Sequence, residues 1–167
     1  MVPRTRRIVL LWSLVSVLLL VAGCGPNADE IKSANEATYR VQPESLLDVA
    51  ANVAKENRYD VQVDREHMIF AAHPNASMIA RDTEPPRQYP GGYPHWALEV
   101  SVVGTAAGCR VKVTPKVWQE RLYAQPVYFS PDDPNTPGFV IDRANALSLA
   151  IYHRLGDRAG SPQQSSP

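Results

Sequence analysis

Two cysteines and four histidines are the residues best suited to nucleophilic or metal chemistry in this 167-residue chain. Cys109 heads the run Cys109-Arg110-Val111-Lys112-Val113-Thr114, whose odd positions are apolar. There it reads as a small hydrophobe packed inward, since a free thiol buries readily. A nucleophile beside a histidine and an intermolecular disulfide are the alternatives. His67, His73, His95 and His153 have no HxH or HxxxH spacing, the patterns that present two ligands together on a strand or helix. His73 and His95 bracket the stretch 74–94 and would need Asp82 or Glu84 to complete a metal site, so separate, hydrogen-bonded histidines are expected. Asp133, Asn135 and Gly138 stand at positions 1, 3 and 6 of a calcium-loop pattern, but Pro137 and Ala144 occupy positions 5 and 12. A turn held by Asx hydrogen bonds is the expectation there. Glu99 reads as a cross-strand partner of Arg110 or Lys112. No GxSxG, HExxH, CxxC, GxGxxG or Walker loop occurs. No cofactor, metal or catalytic residue is therefore expected. A triad assembled from distant residues keeps a hydrolase as the weaker alternative.

The other cysteine sits in a different context. Arg4, Arg6 and Arg7 precede fifteen residues, Ile8 to Ala22, that are apolar except for Ser13 and Ser16. Such a run is short for a transmembrane helix, which needs about 20 residues, and suits the apolar part of a signal peptide. It ends in Leu20-Val21-Ala22-Gly23-Cys24, which resembles the bacterial lipobox. The resemblance implies cleavage between Gly23 and Cys24, and lipidation of the Cys24 thiol with acyl chains such as palmitate. It also implies a cell-envelope location. Gly25 rather than aspartate follows the cysteine, which implies the periplasmic face of the outer membrane in a two-membrane organism. In a one-membrane organism the protein would sit on the outer face. Cleavage leaves 14 basic residues against 17 acidic ones, a net charge of −3. Attraction to anionic headgroups is then absent, so membrane attachment falls to the acyl chains, at about 0.8 kcal/mol per buried methylene.

Composition narrows the rest. Hydrophobic residues make up 44% and charged residues 20%, as in a globular domain. Basic and acidic residues balance at 17 each, so no electrostatic footprint for nucleic acid is present. The expected organisation is a signal peptide over 1–23, a lipidated tether over 24–37, one domain over 38–157 and a disordered tail over 158–167. Within the domain, Tyr39 and Val41 alternate as a short strand over 37–42. Pro43 opens a helix with a stripe of Leu46, Leu47, Ala50, Val53 and Ala54, ending near Asn57 in a left-handed cap. Strands follow around Val61–Val63 and Met68–Ala72. His95–Val103 and Cys109–Thr114 form a hairpin about the Gly104–Gly108 turn. Pro115 is expected to end that ladder or to mark the beginning of an edge, and the four prolines of 116–137 to prevent a long element. Val140, Ala144, Leu147, Ile151 and Leu155 make a last helical stripe, stopped by Gly156. The order β-α-β-β-β-β-α predicts an α+β fold, with an antiparallel sheet of four to five strands and two helices on one face.

The stretch Asn57-Arg58-Tyr59-Asp60-Val61-Gln62-Val63-Asp64, followed by Met68-Ile69-Phe70, is similar to repeat domains of the accessory lipoprotein C of the outer-membrane β-barrel assembly machine. Arg58 replaces the glycine usual before the aromatic. The resemblance implies a helix-grip-like fold over about 38–157 and a non-enzymatic envelope role. A partner surface is sought in the stretch 74–94, where Arg87, Tyr89 and Tyr93 are residue types common at interface hot spots. Tyr89, Tyr93, Trp118, Tyr123, Tyr128 and Phe129 all lie outside the clearest elements. Contact is expected of Tyr89 and Tyr93, and cover of the sheet's second face of Trp118. The expected function is a lipid-anchored interaction or scaffold protein with an envelope protein as partner. The alternative is a small-ligand-binding periplasmic lipoprotein with a cavity between helices and sheet.

Overall fold

Pro43 starts a helix because its missing N–H is unneeded in the first turn. The computed structural model describes residues 27–79 and 94–159. In it this helix, α2, spans Pro43–Glu56 after a shorter α1 at Ala28–Glu36. The α2 stripe of Leu46, Leu47, Ala50, Val53 and Ala54 is buried throughout. Burying a leucine fully contributes about 1.5–3 kcal/mol, and two of the five are leucines. Asn57 caps the helix with φ −84° rather than in a left-handed conformation, its side-chain amide donating to the Val53 carbonyl at 2.8 Å. The left-handed residue is the next one, Arg58, at φ 68°. A glycine is at ease at such a position.

Five strands follow: β1 Tyr59–Asp64, β2 Ile69–Pro74, β3 His95–Thr105, β4 Gly108–Arg121 and β5 Ala124–Phe129. A one-turn α3, Ala76–Ile79, separates β2 from β3, and α4, Gly138–Ala159, closes the chain. The sheet is an antiparallel meander in the order β1-β2-β3-β4-β5. The fold is α+β, with α2 and α4 on one face. Phe70, Leu98, Val100 and Val117 from the sheet meet Leu46, Leu47, Val140 and Ile151 from the helices, all almost wholly shielded from solvent. Trp96 stands at the centre of an aromatic line, edge-on to Tyr59 of β1 and to Phe139 of α4.

Four local expectations need correction. Residues 37–42 form no strand. Tyr39 alone makes an isolated bridge to Cys109, and two alternating apolar residues before a proline do not sustain a ladder. The fifth strand is instead β5, which tolerates Pro126 because it lies at the sheet edge. Likewise the ladder does not end at Pro115, since β4 continues to Arg121; of the two readings of that proline, the sheet edge is the one that holds. The segment 24–37 is not a plain tether over its described part, 27–37. Asn27 caps α1 by accepting from the Asp29 N–H at 3.2 Å. The helix then docks on α4 through buried Ala34 and a 2.7 Å hydrogen bond from Ser148 Oγ to Asn35 Oδ1. A contact of the Glu30 carboxylate with His153 Nε2, at 3.2 Å, adds to this docking. Gly156 does not stop α4, which runs to Ala159, past the expected limit of 157. A helical glycine costs about 1 kcal/mol against alanine, and the packing of Ile151 and Leu155 just before it carries the helix on.

Candidate functional site

Strand alternation sorts β4 into two sets. Cys109, Val111 and Val117 are buried towards the helices, whereas Arg110, Lys112 and Lys116 are exposed on the other face. Trp118 belongs to the second set. Register places it opposite His95 of β3 and opposite Tyr128 of β5. The His95 and Trp118 rings stack at 5.8 Å and 19°. Trp118 and Tyr128 lie 6.4 Å apart, tilted by 36°. Three rings thus form one row across three strands, on the face away from α2 and α4. Tyr128 is 70% exposed. Two residues along from Trp118, Lys116 pairs with Glu99 at 3.2 Å. That diagonal pair replaces the expected partners Arg110 and Lys112, which register opposite Val103 and Ser101.

The β4–β5 hairpin adds a second feature. Its two turn residues, Leu122 and Tyr123, are almost entirely exposed. Tyr123 has φ 63°, a conformation in which a side chain costs roughly 1–2 kcal/mol. A ring row that ends on β5 and an apolar turn that joins β4 to β5 can stack on a flat ring or pack against an apolar surface. Phe129, next to Tyr128, points the other way and packs against the core. Trp118 lies on the second face of the sheet, and Tyr128 beside it extends into solvent.

The chemistry-bearing residues remain apart. Cys109 is buried, and its backbone exchanges hydrogen bonds with Tyr39. His67 is held by Asp64 at 2.8 Å, and that hydrogen bond draws the Asp64 carboxyl below its usual range. His95 stacks on Trp118, and His153 meets Glu30. Asp133 accepts from the Asn135 N–H at 2.8 Å, an Asx turn. Among the described residues, no group of three or more His, Cys, Asp or Glu is placed to hold a metal ion. Also among them, no helix is long and apolar enough to cross a membrane. Gly23, Cys24, Asp82, Glu84, Arg87, Tyr89 and Tyr93 lie outside the described residues. The row itself was hard to find in the sequence. His95 and Trp118 become neighbours only through a hairpin register, although the alternation of both strands contained the signal. Comparison with known proteins finds no family model, no curated protein and no solved structure that matches this chain.

Proposed function

We propose that this is a lipid-anchored cell-envelope protein that works by non-enzymatic contact with another envelope protein. The anchor is an acyl-modified Cys24, at the periplasmic face of the outer membrane where the organism has two membranes. The contact surface is the ring row His95-Trp118-Tyr128 together with the Leu122-Tyr123 turn. One observation carries this reading. Leu122, Tyr123 and Tyr128, the three most exposed large hydrophobic residues among those described, all belong to one hairpin. Aromatic side chains that order little on binding are frequent anchors in protein interfaces, each contributing about 2 kcal/mol or more when buried. A tyrosine kept in a left-handed backbone at the turn also supports the reading, because strain of that kind gathers at functional positions. An antiparallel sheet backed by a long C-terminal helix supports a helix-grip-like description of the domain.

The test is a photo-crosslinking amino acid placed at position 123 in living cells. Defined adducts with an envelope protein are expected. They should vanish in a Leu122→Ser variant, whose melting temperature stays within about a degree of the parent because that side chain touches solvent. A protein that crosslinks to nothing at 123 or at 128 would overturn the proposed surface.

A further inference from the structure

Among the described residues, the outer edge of β4 is open between two guards. At one end Cys109 exchanges both backbone hydrogen bonds with Tyr39, at 2.7 and 2.9 Å. At the other, pairing with β5 begins at Val117 opposite Phe129. Successive residues in a strand aim their N–H and C=O groups at alternate neighbours. The β3–β4 register runs unbroken from His95 opposite Trp118 to Thr105 opposite Gly108. Val111, Val113 and Pro115 are therefore in phase with Cys109 and Val117, and their backbone groups point away from β3. No backbone partner reaches them among the described residues. Pro115 suits this phase, because the N–H it lacks would have faced the open edge.

A groove of about 680 Å³ follows the edge, lined by Val111 and Val113 on the strand and by Ile141 and Ala144 on α4. Arg110 and Lys112 also border it, and no acidic residue does. Both cations are exposed, and neither has an ion-pair partner among the described residues. Unpaired main-chain groups recognise another extended chain, and pockets for alternate side chains select its sequence.

We infer that this edge receives an extended segment of a partner protein as a sixth strand, with acidic and small apolar side chains in alternation. Five main-chain groups are available to it: the N–H and C=O of Val111 and Val113, and the C=O of Pro115. Between the guards, the seven residues from Arg110 to Lys116 span about 24 Å at about 3.4 Å each, so a segment of roughly six residues fits. One set of its side chains enters the groove against Ile141 and Ala144, where small apolar groups fit. The other set emerges beside Arg110 and Lys112, where carboxylates complete the charge. This surface lies at the edge of the sheet, apart from the ring row on its face.

The full-length chain, purified in detergent micelles, is titrated with a fluorescein-labelled peptide of three Glu-Val repeats and with its Lys-Val counterpart. The Glu-Val peptide should bind at least tenfold more tightly. Arg110→Glu with Lys112→Glu should reverse the preference, and Val63→Ala, on β1 at the far edge of the sheet, should leave it unchanged. Lys112→Gln, with a smaller loss, serves as a second variant if the double charge reversal unfolds the domain. On binding, hydrogen exchange at the Val111 and Val113 amides should slow. Equal affinity for the two peptides, or none for either, overturns the inference. So does protection of those amides in the free chain, a dimer of this chain that buries the edge, or loss of binding in Val63→Ala. None of these outcomes bears on crosslinking at residue 123, so the two surfaces succeed or fail separately.

Discussion

At Gly108 two backbones come close. Its φ of 147° lies in a region that side-chain-bearing residues rarely adopt, and an added Cβ would meet the Tyr39 carbonyl oxygen at 2.4 Å. Gly108→Ala therefore has to shift Tyr39, which carries the chain from α1 past the edge of β4. It should lower stability by more than about 1 kcal/mol in denaturant unfolding, whereas Gly104→Ala, with open space around it, should be far milder. Tyr39 makes a second test. Burial, with a smaller contribution from Tyr152, raises its phenol to about 12 from an ordinary 10. The folded state thus holds the proton more tightly than the unfolded one. The sign follows from linkage. This contribution is whole below pH 10 and is lost as pH climbs towards 12. Unfolding midpoints measured from pH 9 to 11.5 should fall more steeply for the parent than for Tyr39→Phe.

Among the elements, α4 does most to close the core. Leu147 and Ile151 are almost fully buried against the sheet and α2. Either one changed to alanine should cost about 2–5 kcal/mol, read as a lowered thermal midpoint. An unmoved midpoint would contradict the docking of this helix. The α4 and α2 stripes, and the β3–β4 hairpin, were legible in the sequence because burial there follows a strict period over many residues. The α1 helix was not, since it docks through one alanine and a pair of polar side chains, and Ala34 leaves no stripe. Strand β5 was masked by Pro126 and by the prolines after it, which forbid a central strand yet are harmless at an edge. The ring row lay out of reach for another reason. Trp118 and Tyr128 were marked as aromatic, but their neighbours follow from cross-strand register, which emerges only once β4 is known to pass Pro115.

For the molecule as a whole, the anchor is the testable joint. In the proposed lipoprotein only the Cys24 thiol receives the acyl chains. Cys24→Ala should fail to incorporate a labelled fatty acid and should migrate as the longer, uncleaved precursor on a gel. Its domain should retain the parent's melting temperature, because the core is built from residues after Asn27. Equal labelling of parent and variant would remove the lipid from the account.

The docking of α1 on α4 has a mechanical consequence. A peptide extends by at most about 3.3–3.6 Å per residue. From a lipid on Cys24 to the first residue of the docked helix cap, Asn27, the chain has only three residue steps, roughly 10 Å of leash. In the proposed lipoprotein, a domain on so short a leash would not sweep the periplasm in search of a partner. It would stand against the bilayer like a door on a hinge, with α1 as the hinge plate, and its partner would have to come within about a domain's width of the membrane to be met. Lengthening the leash with a flexible insert before Asn27 would change where contacts form while leaving every contact inside the domain as it is.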